Sequence, residues 1–185
     1  MIRLVAAVGD ELGPLPGTVL GVGLVPAAAS AARMLATDRP DAVVLIGTAG
    51  RLGAGPRVGT IIVASEVALG SAAAALGLGY VPRRPGPIAA DPGLVERVGL
   101  PAARVLTNLA ITTDPDLARR FAAEGEVEHM EAYAVAYACA DAAVPFAAVL
   151  GITNEVGPGA HAEWLRHRLP VQAAVQAVAA RVLGS

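Results

Sequence analysis

The stretch VEHMEAYAVAYACADAAVPFAAVLGITN, residues 127–154, decides the architecture. A short β-type run at Glu126–Met130 leads into Glu131–Ala143, a helical run in which Ala132, Ala136 and Ala140 recur at four-residue spacing and leave a smooth face for close packing. After Val144-Pro145 comes Phe146–Ile152, with no polar residue and therefore none of the in/out alternation of a half-exposed strand. Strands of that kind belong to sheets covered by helices on both faces. Asn154 then falls at the strand's carboxyl end, where open α/β sheets place their ligands.

Working outward, Leu4–Val8, Ala42–Ile46 and Thr60–Ala64 read as further central strands, with Val19–Val22 and Arg104–Leu109 as weaker ones. Asp114 caps a helix expected over Pro115–Glu124 and stopped by Gly125. Pro26 opens another over Pro26–Leu35, and Val171–Leu183 makes a last amphipathic helix ending at Gly184. Between Ser65 and Ala103 the signals blur, and surface loops with one short strand are expected. Phe121, Tyr133 and Tyr137 read as helix residues facing the core. Alternating strands and helices over 185 residues predict one α/β domain, residues 1–185, in three layers around a central mixed, mostly parallel sheet. A chain of this length buries a sufficient core without disulfides or metals.

Composition removes several function classes. The 55% hydrophobic content is spread between Gly and Pro breaks, and Val67–Val81 is too short for the ~20 residues of a membrane span. Leu4–Val8 is too short for a signal peptide, so a cytoplasmic location is expected. With net charge −2, basic residues that are all Arg and no basic run beyond the pairs Arg83-Arg84 and Arg119-Arg120, nucleic acid is not an expected partner. The single cysteine, Cys139, reads as a small buried hydrophobe. His129, His161 and His167 lack ligand spacing, so no metal is expected, and no motif implies a cofactor.

Three segments carry chemistry. VAAVGDEL, residues 5–12, delivers Asp10 and Glu11 to the end of a buried strand. Gly21-Val22-Gly23 and IGTAG, residues 46–50, read as Gly-rich turns that let backbone amides approach a substrate. The third segment is Glu128-His129-Met130-Glu131 with Gly151–Asn154, and all three are expected to open on one edge. Taken alone, each has an ordinary explanation: a turn lacking the third glycine of a dinucleotide fingerprint, a solvated loop start, and a first-turn acid favoured by the helix dipole.

Their order and spacing are informative together, because the chain from about Leu4 to Trp164 resembles the nucleoside phosphorylase and nucleosidase superfamily. The resemblance implies that fold and a purine nucleoside as ligand. It implies that Glu131, with the Met130 backbone, binds ribose hydroxyls, that Glu11 holds and deprotonates a water, and that Thr48 touches that water or the sugar. Asn154 stands where adenine-specific members carry Asp. Its amide suits a 6-oxopurine, and with Val156-Gly157-Pro158 and Trp164 it is similar to the futalosine hydrolase branch, which releases hypoxanthine on a menaquinone route. His161 and Trp164 are expected on a Gly-Pro loop that closes over the base. Leu45-Ile46 occupies the place where phosphorylases of the family tend to hold phosphate with Arg, which favours hydrolysis, and Arg51 beyond it reads as a solvated loop residue. Only nine residues separate Glu11 from Gly21, a segment usually longer in the family, so one wall of the site is missing or comes from a partner subunit; family analogy implies a homo-oligomer. A methylthioadenosine/adenosylhomocysteine-type nucleosidase, a phosphorylase and a non-catalytic nucleoside binder stay open as alternatives.

Overall fold

A computed structural model describes residues 1–83 and 85–184, so Arg84 of the Arg83-Arg84 pair lies outside the described residues, as does Ser185. The elements in chain order are β1 (Ile2–Ala6), α1 (Gly9–Leu12, one turn), β2 (Thr18–Val19), α2 (Leu24–Thr37), β3 (Ala42–Arg51), β4 (Ile61–Leu69), α3 (Ala72–Ala75), β5 (Ile88–Ala89), α4 (Pro92–Val98), β6 (Ala102–Thr107), α5 (Pro115–Phe121), β7 (Val127–His129), α6 (Ala132–Asp141), β8 (Phe146–Glu155) and α7 (Ala160–Gly184). Parallel pairings join β1 to β2 and β3, β3 to β8, β4 to β6 and β6 to β7, while β3–β7, β4–β5 and β4–β8 are antiparallel. The sheet is mixed and mostly parallel, as expected. It also closes: β3, β8, β4, β6 and β7 form a ring, with β1 and β2 extending from β3 and β5 from β4.

The apolar runs explain the layering. In β3, Val43 and Leu45 join the cluster under α2 and α6, whereas Val44 and Ile46 join the cluster under α4 and α7. In β8, Phe146, Ala148 and Leu150 take the first side, and Ala147 and Val149 the second. Both faces are dry, and each fully buried Val, Leu or Ile side chain contributes about 1.5–3 kcal/mol. A Cβ on Gly151 would sit 2.2 Å from Val171 Cγ1, so glycine lets α7 lie directly on β8.

The expected strands and helices are present, with several corrections, the first being that the strand expected at Val19–Val22 is only Thr18–Val19. The IGTAG segment is not a turn: Gly47, Thr48 and Ala49 pair with Leu150, Gly151 and Ile152, and the strand bulges only between Ala49 and Gly50. Pairing with β8 along the segment, joined by β7 at Gly50, supplies its hydrogen bonds, which outweighs the weak strand preference of glycine. Residues 65–103 are not mainly loops: β4 runs on to Leu69, and α4 carries Asp91 as its cap, accepting from Leu94 N at 2.9 Å, with Pro92 in its first turn and Gly99 at the left-handed stop. The Asp-Pro signal that places α5 was present here too. Helix α7 begins at Ala160 rather than Val171 and passes through the exposed Pro170, so His161 and Trp164 lie on a helix and not on a loop. Phe121 and Tyr133 are buried, but Tyr137 is 55% exposed. Arg51 is paired with Glu155 at 2.8 Å rather than solvated. Cys139 is fully buried and its thiol is pushed up to about 12 by desolvation. Among the described residues no helix is long and apolar enough to cross a membrane, and no cluster of metal-ligating side chains occurs.

Candidate active site

At the carboxyl ends of β1, β3, β7 and β8 lies a cavity of about 590 Å³, within the ~300–1,000 Å³ typical of small-molecule sites. Glu11, Thr48, Met130, Glu131, Asn154 and Trp164 all line it, with Asp10 and His161, whereas Val156, Gly157 and Pro158 do not.

Helix α1, a single turn after β1, holds Glu11 inward. Its Oε1 accepts from Thr48 N at 3.1 Å and its Oε2 from Ala7 N at 3.2 Å. The side chain is buried, and desolvation raises its pKa to about 7, helped by the nearby negative charge of Glu131 and opposed by the backbone donors. A carboxylate that titrates near neutrality is suited to take a proton from water.

Glu131 sits at the N-terminal boundary of α6, where β7 turns into the helix. Its Oε1 accepts from Gly23 N at 2.6 Å. The Gly21-Val22-Gly23 turn, with φ of 94° and 90° at its glycines, therefore aims an amide at this carboxylate. His129 is buried, and its Nδ1 accepts from Glu131 N and Ala132 N, each at 3.1 Å. Two incoming N–H groups leave no place for a proton on Nδ1. The 3.3 Å approach of Glu131 Oε2 to that nitrogen is thus a contact with a neutral ring and not an ion pair, in line with desolvation lowering the pKa of His129. A Cβ on Gly47 would meet Glu11 Oε1 at 3.0 Å and His129 Nε2 at 3.4 Å, which makes the glycine necessary to the approach of both groups. Glu128 is also buried and lines the cavity, and it accepts from Asn108 Nδ2 at 2.8 Å, Thr112 N at 3.1 Å and Thr112 Oγ1 at 2.5 Å.

Asn154 lies opposite Gly50 at the bulge, and a Cβ on Gly50 would come within 3.0 Å of its Nδ2. One amide proton goes to Glu155 O at 3.0 Å, and Oδ1 accepts from Thr153 Oγ1 at 2.9 Å. One N–H and one lone pair remain for a ligand. On α7, Trp164 Nε1 donates to Thr48 Oγ1 at 3.2 Å, the His161 ring stacks on the indole at 5.8 Å, and the Arg168 guanidinium lies 5.1 Å from the indole centroid. His129, Glu128, Arg168 and Gln172 were not assigned roles from the sequence. The α7 residues had a readable signal, since 161, 164, 168 and 172 recur at helical spacing, but a helix start at Val171 conceals it.

Fold and site together define a layered α/β protein with an acid-lined cavity at its strand ends. The chain belongs to the Phosphorylase superfamily, whose family model matches residues 14–184. A 5′-methylthioadenosine/S-adenosylhomocysteine nucleosidase of Chromohalobacter salexigens is 31% identical over 153 residues, covering 74% of this chain; the chain spans 65% of that relative's length. Among solved structures, a futalosine hydrolase mutant of Helicobacter pylori superposes with a TM-score of 0.89 at 13% identity, covering 99% of this chain and 98% of that one. A 5′-methylthioadenosine/S-adenosylhomocysteine nucleosidase of Neisseria meningitidis in complex with methylthio-immucillin-A gives 0.81 at 20% identity, covering 98% and 97%. At these identities the structural likenesses carry the fold alone.

Proposed function

We propose that this protein is a purine nucleosidase that hydrolyses the N-ribosidic bond, with futalosine as substrate and hypoxanthine as the released base. The observation that carries the reading is the convergence of Glu11, Glu131 and Asn154, distant in sequence, on one cavity. Glu131, oriented by Gly23 N, and the Met130 backbone take the ribose hydroxyls. Glu11 holds a water below the sugar, with Thr48 beside it. As the bond from the anomeric carbon to the purine nitrogen lengthens and the sugar becomes oxocarbenium-like, the water oxygen bonds to that carbon and its proton passes to Glu11. The base leaves with the bonding electron pair, held by the free N–H and lone pair of Asn154, and takes up a proton from solvent, while Glu11 returns the water's proton to solvent and is reset. Trp164 covers the bound nucleoside from α7. No cofactor or metal enters the step.

The test is direct. Purified protein is incubated with futalosine, inosine and 5′-methylthioadenosine, and free base is measured by chromatography. Hypoxanthine from futalosine is expected without added phosphate. No base from any of the three overturns the reading, and turnover only with phosphate makes the protein a phosphorylase. Adenine release from methylthioadenosine would instead support the second reading, favoured by the Chromohalobacter relative. The exposed Val8, Val22 and Ile111, which line the cavity rim, support a homo-oligomer that covers them, checked by sedimentation.

A further inference from the structure

We propose that the α7 wall of the cavity is an anion-reading subsite, in which Arg168 and Gln172, beside the Trp164 ring, bind the charged oxygens of a group carried on the 5′ carbon of the nucleoside. The ribose hydroxyls, the attacking water and the base already have partners in Glu131, Glu11 and Asn154, so the proposal rests on that reading for the placement of the sugar. What those partners leave unused is α7.

Four α7 residues at helical spacing, His161, Trp164, Arg168 and Gln172, line the cavity. Gln172 is 6% exposed, yet its side-chain amide makes no hydrogen bond with any described residue. A side-chain amide on an otherwise buried residue that lines a cavity without a protein partner is positioned for a ligand. Among the described residues lining this cavity Arg168 is the one arginine, beside the acids Asp10, Glu11, Glu128 and Glu131. It forms no ion pair with any of them among the described residues. Its guanidinium is held over the indole instead, a placement that fixes the cation while leaving its N–H donors free. Residues 168 and 172 are one helical turn apart, so a charged donor and a neutral amide donor fall side by side. A guanidinium and an adjacent amide N–H together match a carboxylate or a phosphate.

The experiment reads the subsite in two independent ways. Trp164 is the only tryptophan of the chain, so its fluorescence reports on this wall alone. Titration with benzoate and with inorganic phosphate is compared with benzamide; a saturable response to an anion that benzamide does not give, and that Arg168→Ala abolishes, is expected. In the second arm, Arg168→Ala and Gln172→Ala are assayed on futalosine, on inosine 5′-monophosphate and on inosine. Each substitution is expected to raise KM for the anionic nucleoside by about tenfold or more, the loss of one charge-assisted hydrogen bond, with kcat and the inosine parameters nearly unchanged. A response confined to futalosine and benzoate identifies a carboxylate, and one confined to the monophosphate and phosphate identifies a phosphate. Equal losses on charged and neutral nucleosides, or no loss on either, overturn the proposal. If no nucleoside yields free base, the nucleosidase reading fails separately and the fluorescence arm decides: no anion-specific response then overturns the subsite as well.

Discussion

The two walls of the cavity treat their polar groups in opposite ways. On the wall built from α1, β3, β7 and the start of α6, the buried acids are already held: Glu11 by Thr48 N and Ala7 N, Glu131 by Gly23 N, Glu128 by Asn108 and Thr112. On the α7 wall, Arg168 and Gln172 lack such partners among the described residues. The first arrangement fixes charge before a ligand arrives, which is what positioning a water requires. The second keeps donors vacant, which is what selecting a substituent requires. The difference predicts that substitutions on the first wall act on the chemical step, and those on the second on affinity.

The largest effect tests the first wall. Glu11→Gln keeps the side chain's size but removes the proton acceptor, and kcat for base release is expected to fall about 10²–10⁴-fold. Circular dichroism should be unchanged. A variant that retains full rate would mean that the held acids are structural, and the contrast between the walls would lose its meaning. The pH dependence sharpens the same point: because Glu11 must be ionised to accept a proton, kcat/KM should rise with pH and level off above about 7, where its raised pKa lies. A rate that falls through that range would make Glu11 an acid.

The Glu11 contribution to stability should move in the opposite sense. The folded-state pKa of Glu11, about 7, lies above the 4.5 of the free side chain, so between those values the folded chain binds more protons than the unfolded one. This contribution therefore falls as pH rises from 4.5 to about 7, by ~3 kcal/mol, and is flat above, while the buried His129, whose pKa is lowered, contributes in the opposite sense below 6.5. Denaturant titrations of the wild type and of Glu11→Gln at several pH values in that window isolate the Glu11 part: the difference in stability between the two should change with the sign given.

Much of the first wall was legible in the sequence and much of the second was not, for identifiable reasons. Glu11 and Asn154 follow apolar strands with no alternation, and such strands point to a layered fold that gathers its strand ends at one edge. Glu131 was legible only through the family resemblance, since an acid opening an alanine-rich helix has by itself the ordinary explanation of a dipole partner. Closure of the sheet into a ring was not, since β4–β8 and β3–β7 are antiparallel contacts between segments far apart, which local periodicity does not encode. The strand character of Gly47–Gly50 was masked by its glycines, although these glycines are what admits Glu11, His129 and Asn154. On α7, Gly157-Pro158-Gly159 and Pro170 carry the signature of a loop, and the shared face of Trp164, Arg168 and Gln172 becomes visible only once the helix is seen to run through Pro170.

A smaller effect separates orientation from charge on the first wall. Glu131→Gln can still accept from Gly23 N, so the fold should tolerate it, but a charge-assisted hydrogen bond to the sugar is lost, at about 1.5–3 kcal/mol. KM for every purine nucleoside should rise about tenfold to a hundredfold, whatever its 5′ group. The negative charge of Glu131 also helps raise the pKa of Glu11, so the rising limb of the pH profile should move to lower pH in this variant. A profile that stays in place would show that burial alone sets the Glu11 pKa.

The smallest effect concerns the bond that joins the walls. Trp164 Nε1 donates to Thr48 Oγ1 at 3.2 Å, and Thr48 N in turn donates to Glu11, so one side chain of α7 reaches the residue that holds the proposed base. Trp164→Phe keeps an aromatic face for Arg168 and removes that donor. A partly exposed neutral hydrogen bond is worth about 0.5–1.5 kcal/mol, so a change of roughly twofold to tenfold in kcat/KM is expected. The informative quantity is the coupling: combined with Arg168→Ala on an anionic nucleoside, the two losses should add if the walls act independently, while a departure of more than ~0.5 kcal/mol would mean that ligand capture on α7 is transmitted to Glu11 through Thr48.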